Sequence, residues 1–192
     1  ISKINDIQVL NLHQGPTYSF KDVGCLIAAS IYKQLNLEDT RTIVATSGDT
    51  GSAALNAFSK EQLPITVIFP GNERISNFQT TQMMNFHQCT VLGVHGDFDL
   101  CQQIVKKEIK KNSLLSCNSI SLARFLPQVG YYIYLSHHNQ HPLNLVIPCG
   151  NLGNVASAYM AKKLGCNINE IYLAFNSNKG VADYLNHFNK NK

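Results

Sequence analysis

The 192 residues contain no apolar run long enough to cross a membrane and no pattern typical of a signal peptide. We therefore expect a soluble protein of the cytoplasm. Charged residues are also scarce, at 15% of the chain where about a quarter is usual. So few charges indicate that part of the surface is covered, either by a partner subunit or by a segment outside these residues.

The sequence gives little support for a metal site, a disulfide framework or a nucleic-acid site. The six cysteines include no C-x-x-C pair, which argues against a zinc site or a disulfide framework. The histidines of the stretch 137–141 have no carboxylate or cysteine at ligand spacing, and we interpret them as a polar loop leading to Pro142. The net charge is only +4, and the basic stretch 106–111 has helical spacing without interleaved aromatic residues. It predicts a solvated helix face and no nucleic-acid site.

Apolar strand patterns alternate with helix patterns along the chain. Strands are predicted at 42–45, 65–69, 90–94, 113–115, 143–147 and 171–175, and helices at 52–58, 77–85, 97–111 and 155–164. Near-continuous apolar strands separated by helices indicate an α/β fold with parallel sheets covered on both faces. Ligands of such sheets bind at the carboxyl ends of the strands, where the polar turns of this sequence fall.

Lys21 is the strongest single indication of chemistry. It follows a turn rich in Gly, Pro and Ser, and an apolar, helix-like run comes after it. The start of a helix carries partial positive charge, which disfavours a second positive charge and favours the neutral, nucleophilic amine. Lys21 could therefore form a Schiff base. The alternative is a surface lysine in the first turn of an ordinary helix.

Two polar turns between a strand and a helix are candidate anion sites. The turn Thr46-Ser47-Gly48-Asp49-Thr50-Gly51 offers hydroxyls and N–H groups suited to a carboxylate or phosphate, although the same residues cap ordinary helices. The turn Gly150-Asn151-Leu152-Gly153-Asn154 suits a phosphate, but it is neither a nucleotide-hydrolase loop nor a complete dinucleotide fingerprint. A tight strand-to-helix turn is its other interpretation.

A third candidate segment runs from Ser116 to Arg124 and supplies amide, hydroxyl and guanidinium groups. Arg124 could make a two-pronged contact with a phosphate, although an arginine on an amphipathic helix more often meets solvent or an acidic neighbour. Three such segments together suggest several anionic groups, such as a cofactor phosphate and a substrate carrying both carboxylate and phosphate.

These motifs closely resemble those of the threonine synthase family, pyridoxal-phosphate enzymes of fold type II. The matching stretches, in the same order and spacing, are His13 to Asp22, Ala45 to Gly51, Asn118 to Ser121 with Arg124, and Gly150 to Asn154. The family usually has Gly-Asn-Phe-Gly-Asp at the last of these. Leu152 and Asn154 therefore depart from it conservatively, and one negative charge is lost.

The resemblance implies a role for each matching residue. Lys21 would carry the cofactor aldehyde as an internal Schiff base. The residues implied to hold the cofactor phosphate are Gly150, Asn151, Leu152, Gly153 and Asn154. Those implied to hold the substrate carboxylate are Thr46, Ser47, Gly48 and Asp49. Those implied to hold the phosphate of the substrate, O-phosphohomoserine, are Thr50, Asn118, Ser119 and Arg124.

The implied reaction converts O-phosphohomoserine and water to threonine and phosphate. Lys21, displaced by the substrate amine, would remove the α-proton while the cofactor ring takes up the electrons. Two alternatives stay open: a related phospholyase that releases a 2-oxo acid and ammonia, or a non-catalytic phosphate-binding lobe.

Members of this family usually extend beyond both ends of this sequence, and they place a Ser or Thr of their C-terminal part beside the pyridine nitrogen. We therefore expect a fragment that lacks the C-terminal part, with no turnover by the 192 residues alone. The family's two-lobed architecture implies a smaller α/β domain at 37–130. Residues 1–36 and 131–192 would belong to the large cofactor-binding domain.

Overall fold

The computed structural model describes residues 1–37, 39–46, 48–71, 81, 86, 89–118, 121–177 and 180–190. They form two compact units, Ile1–Pro127 and Gln128–Lys192. The predicted grouping of residues 1–36 with 131–192 in one domain stays a prediction. The helix predicted at 77–85 lies, apart from Thr81, outside the described residues.

The first unit begins with a hairpin that the sequence patterns did not reveal, in which β1 (Ser2–Ile4) pairs antiparallel with β2 (Ile7–Val9). The elements that follow alternate: α1 (Lys21–Gln34), β3 (Thr42–Ala45), α2 (Asp49–Lys60), β4 (Ile65–Pro70), β5 (Thr90–Val94), α3 (Phe98–Lys111) and β6 (Leu115–Ser116). The strand predicted at 113–115 is thus shifted toward the C-terminus.

Four of these strands form one parallel sheet in the order β5-β4-β3-β6. Thr42 of β3 lies opposite Ile65 of β4 on one side and Leu115 of β6 on the other. The carboxyl ends of β3 and β6 therefore meet at one edge, which is where two of the predicted anion-binding segments begin.

The sheet is covered by helices on both faces, as the apolar strand patterns predicted. Side chains alternate across a strand, so Val44 joins the cluster formed with α1 and α2, while its neighbours Ile43 and Ala45 join a second cluster with Cys101 and Val105 of α3. Burial on both faces explains why β3 and β4 consist of apolar and threonine residues with no charged side chain.

Phe58 of α2 is the largest fully buried side chain of this sheet's core. Its ring meets the Tyr32 ring edge-on, with centroids 5.8 Å apart. Phe58→Ala should lower the free energy of unfolding by about 3–5 kcal/mol, because it leaves a cavity in a packed core. Urea denaturation of the variant measures this loss. Leu35→Ala, at a site that is 62% exposed, is the control and should change stability by less than about 0.5 kcal/mol. Equal losses in the two variants would contradict the assignment of this core.

The second unit contains a parallel strand pair joined through a helix. Its elements are β7 (Leu143–Pro148), α5 (Gly153–Lys163), β8 (Ile168–Ala174) and α6 (Gly180–Lys190). The helix α4 (Leu122–His138) precedes them and contains the boundary between the units at Pro127. The strands predicted at 143–147 and 171–175 both occur, the second beginning three residues earlier than expected.

The interpretation of the histidines as a polar loop was wrong for two of the three. His137 and His138 form the last turn of α4, and only His141 lies in the connection to β7. The His138 ring stacks on the Tyr134 ring one turn earlier, with centroids 4.0 Å apart, and His138 Nδ1 lies 2.8 Å from the Tyr134 carbonyl oxygen. These contacts extend the helix beyond its apolar run. Among the described residues, no group of three His, Cys, Asp or Glu side chains could hold a metal ion.

The basic stretch 106–111 forms the end of α3, and its four lysines are exposed, as predicted, while the neighbouring Val105 is buried. Across the described ranges, the helices are too short or too polar to traverse a bilayer.

Candidate active site

A tight turn places Lys21 at the first position of α1. The Tyr18 N–H donates to the Gly15 carbonyl oxygen at 3.1 Å, and Tyr18 has a left-handed φ of 57° that reverses the chain. Ser19 then receives two hydrogen bonds, from the Lys21 N–H to its Oγ and from the Asp22 N–H to its carbonyl oxygen. The start of α1 at the lysine confirms the prediction from the sequence.

Asp22 holds this turn in place from inside the unit. Its carboxylate is 3% exposed and accepts both the Thr17 N–H at 3.0 Å and the Thr17 hydroxyl at 2.6 Å. Gly15 lies so close that an added Cβ would be 2.3 Å from Asp22 Oδ2. The glycine is therefore required for the carboxylate to reach Thr17, and Asp22 orients the segment that leads into Lys21.

The amine of Lys21 reaches the polar turn Thr46–Gly51, the first of the candidate anion sites. Its Nζ donates to Asp49 Oδ2 at 3.1 Å and lies 4.4 Å from the centroid of the Phe20 ring. The ion pair therefore links the first residue of α1 to the first residue of α2. The Lys21 side chain is 24% exposed, so a ligand can reach it from solvent.

The turn between β3 and α2 is built around the buried hydroxyl of Thr46. This oxygen donates to the Gly48 carbonyl oxygen at 2.9 Å and accepts the N–H groups of Gly48 at 3.1 Å and Gly51 at 2.9 Å. The Thr46 N–H continues the sheet by donating to the Ile68 carbonyl oxygen. Thr46 therefore shapes the turn, and its hydroxyl is already used within the protein.

Asn118 lies beside that turn because β6 pairs with β3, and Arg124 contacts the residue that precedes Asn118. Asn118 Oδ1 accepts the N–H of Ala45, the residue that ends β3, at 3.0 Å. Arg124, in the first turn of α4, is only 4% exposed, and its Nη1 donates to the Cys117 carbonyl oxygen at 3.1 Å. A buried guanidinium beside two strand ends is suited to an anion and unlike an arginine on a solvated helix face.

The first unit thus brings five sequence-predicted residues into one connected region: Lys21, Thr46, Asp49, Asn118 and Arg124. Gly48 is buried within the same turn, and Thr50 is half-buried in the first turn of α2. Ser47 and Ser119 lie outside the described residues.

The predicted phosphate turn lies in the second unit, between β7 and α5. Leu152 adopts a left-handed φ of 58°, and its carbonyl oxygen accepts the N–H of Ala156 as the first hydrogen bond of the helix. The N–H groups of Gly153, Asn154 and Val155, which come before Ala156, consequently have no intrahelical acceptor. A Cβ added at Gly150 or Gly153 would meet nothing within 4 Å, so both glycines border open space.

This turn fits a phosphate on the chemistry of its donors, since backbone N–H groups and the positive end of α5 converge beside small residues. Asn154 adds a carboxamide, whose Oδ1 accepts the hydroxyls of Tyr131 and Tyr132 from α4. Nothing in the sequence singled out these tyrosines, because only the fold brings α4 and α5 into contact. That Lys21 and this turn hold the same cofactor stays a prediction.

The comparisons with known proteins agree with these motifs. The family model described as pyridoxal-phosphate dependent enzyme matches residues 7–187. Threonine synthase of Schizosaccharomyces pombe is 36% identical over 214 residues, which cover 97% of this chain and 40% of that protein.

Two solved structures show the same fold. The crystal structure of threonine synthase from Escherichia coli matches with a TM-score of 0.86 and 29% identity, over 95% of this chain and 46% of that one. The structure of threonine synthase from Brucella melitensis with bound PLP matches with a TM-score of 0.73 and 37% identity, over 86% and 39%. The chain therefore spans less than half the length of each of these relatives, and the fold type II architecture is confirmed. The chain belongs to the pyridoxal-phosphate-dependent enzyme family, and pyridoxal phosphate is its cofactor.

Proposed function

We propose that the protein containing this chain converts O-phosphohomoserine and water to threonine and phosphate. The observation that carries the proposal is the hydrogen bond from Lys21 Nζ to Asp49 Oδ2 at 3.1 Å, which supports a role for this amine beside the turn where the substrate carboxylate is proposed to bind. The likeness to threonine synthases over nearly all of the chain supports this substrate.

Lys21 is the proposed attachment point of the cofactor and the base that handles the substrate α-proton. Pyridoxal phosphate, when bound, withdraws electrons from the α-carbon of an amino-acid substrate. Gly150, Asn151, Leu152, Gly153 and Asn154 are proposed to hold its phosphate. Asp49 keeps the Lys21 amine within the site when the amine is not engaged with the cofactor, because the ion pair restricts a long and flexible side chain.

The substrate carboxylate is proposed to bind the main chain of the turn that includes Thr46, Ser47, Gly48 and Asp49. The Asp49 side chain cannot serve directly, because two carboxylates repel and this one already pairs with Lys21. The Thr46 hydroxyl acts through the shape of the turn. N–H groups in the first turn of α2 have no intrahelical acceptor and suit an anion.

The substrate phosphate is proposed to bind Thr50, Asn118, Ser119 and Arg124. Since Asn118 Oδ1 is engaged with Ala45, its amide nitrogen is the group that can donate to a phosphate oxygen. Burial strengthens the interaction of the Arg124 guanidinium with an anion, which stabilises the phosphate as it leaves.

The test is product analysis with the full-length gene product, pyridoxal phosphate and O-phosphohomoserine. We expect threonine and inorganic phosphate in equal amounts. Release of 2-oxobutanoate and ammonia would replace the proposal with a phospholyase, and no turnover would favour a non-catalytic lobe. The isolated 192 residues, assayed in parallel, should give no threonine.

A further inference from the structure

Two tyrosines of α4 converge on one side-chain oxygen in the predicted phosphate turn. The Tyr131 hydroxyl lies 2.5 Å from Asn154 Oδ1, and the Tyr132 hydroxyl lies 2.7 Å from the same atom. Both lengths fall in the range of O–H···O hydrogen bonds, and the 2.5 Å contact is too short for N–H···O, so the carboxamide oxygen is the atom that faces the hydroxyls. The orientation of the Asn154 amide is therefore determined by its partners.

Both phenols can donate hydrogen bonds here. Burial raises the pKa of the Tyr131 hydroxyl and of the Tyr132 hydroxyl, so both stay protonated at physiological pH. The Tyr131 and Tyr132 rings also pack against each other, with centroids 4.7 Å apart. Tyr132 is 4% exposed, which leaves little freedom for its ring to turn away.

A carboxamide oxygen has two lone pairs, and the two hydroxyls fill both. The amide nitrogen is the other terminal atom of the Asn154 carboxamide, and it carries two N–H donors. Asn154 is the second residue of α5, next to Gly153, where an added Cβ would meet open space. The amide nitrogen is thus the only part of this side chain that can still hydrogen-bond a ligand of the turn.

We propose that Tyr131 and Tyr132 are positioning residues that orient the Asn154 amide nitrogen as a donor to a phosphate monoester bound at this turn. The proposal rests on the proposed role of Gly150–Asn154 in holding the cofactor phosphate. The donor is a feature of this chain's asparagine, since the usual family motif has aspartate at this position. A neutral amide adds a donor, whereas a carboxylate would add a negative charge beside a phosphate that carries about −1.5 to −2.

The test compares the affinities of the full-length protein for pyridoxal phosphate and for pyridoxal, which lacks the phosphate. The double variant Tyr131→Phe/Tyr132→Phe keeps both rings and removes both hydroxyls. It should bind pyridoxal phosphate about tenfold more weakly, as expected for the loss of one well-oriented hydrogen bond, with pyridoxal affinity unchanged. Asn154→Ala should show the same selective loss.

A double-mutant cycle separates positioning from a merely structural role. Adding the two Phe substitutions to Asn154→Ala should cause no further loss of pyridoxal phosphate affinity, because the tyrosines act through Asn154. Additive losses, equal losses for both ligands, or unchanged affinity in the Phe variant would each overturn the proposal.

The same measurements keep this proposal distinct from the proposed function. A wild-type protein that binds both aldehydes equally would show that the turn holds no phosphate, and the tyrosine proposal would fail with it. A wild-type protein that prefers pyridoxal phosphate, shows the tyrosine effect and forms no threonine would overturn only the proposed reaction.

Discussion

Lys21→Ala should abolish covalent attachment of the cofactor and lower the proposed formation of threonine by about a thousandfold or more. The substitution removes the amine that we propose as both the nucleophile for the cofactor aldehyde and the base for the α-proton, and a positioned base alone contributes about 10²–10⁴ in rate. Borohydride reduction of the wild-type holoenzyme, followed by peptide mass spectrometry, should find the cofactor on the peptide containing Lys21. The variant should carry no label at that peptide.

Lys21→Arg sharpens this test because it keeps a positive charge beside Asp49 without a nucleophilic amine. It should lose as much activity as Lys21→Ala, which would separate the chemical role of the amine from its ion pair. Lys106→Ala, at an exposed position of α3, is the matched control and should leave labelling and turnover unchanged. Labelling of another lysine in the wild-type protein would remove Lys21 from its proposed role.

Asp22→Ala should lower the free energy of unfolding by about 3 kcal/mol. The change removes two hydrogen bonds to a buried carboxylate and leaves the Thr17 N–H and hydroxyl buried without that acceptor. Because this segment leads directly into α1, the variant should also attach the cofactor more slowly. Thermal and urea unfolding measure the first effect, and the growth of cofactor absorbance measures the second.

The matched control is Asp99→Ala, since Asp99 is also the second residue of a helix but is exposed. It loses only a favourable charge at a helix start, worth about 0.3–1 kcal/mol. Thr17→Val should add little to Asp22→Ala, because its hydroxyl bond is already absent. If Asp22→Ala and Asp99→Ala had equal effects, Asp22 would be an ordinary first-turn acid, and its role in holding the turn would be rejected.

The parts of the site that could be predicted are those that depend on neighbours along the chain. The start of α1 at Lys21 follows from a glycine- and serine-rich turn followed by an apolar run. The strands β3 and β4 follow from short runs of apolar and β-branched residues, and the α/β class follows from their alternation with helices. These features arise from capping, turn geometry and side-chain periodicity, which act over a few residues.

The contacts that give each residue its task depend on residues far apart in the chain, and the motifs alone could not reveal them. Lys21 meets Asp49 only because α1 and α2 pack on the same face of the sheet, and Asn118 reaches Ala45 only because β6 pairs with β3. The motif also could not show that the Thr46 hydroxyl is used inside its own turn.

The amino-acid sequence alone thus determined the chemical groups and their order, because a short motif specifies local backbone geometry and the donors it presents. The pairing of those groups came from the fold, because strand register and helix packing select which distant side chains become neighbours. The two tyrosines at Asn154 belong to this second kind, since they precede it by 23 and 22 residues. Their hydrogen-bonding partners are settled by burial and packing, which no local pattern encodes.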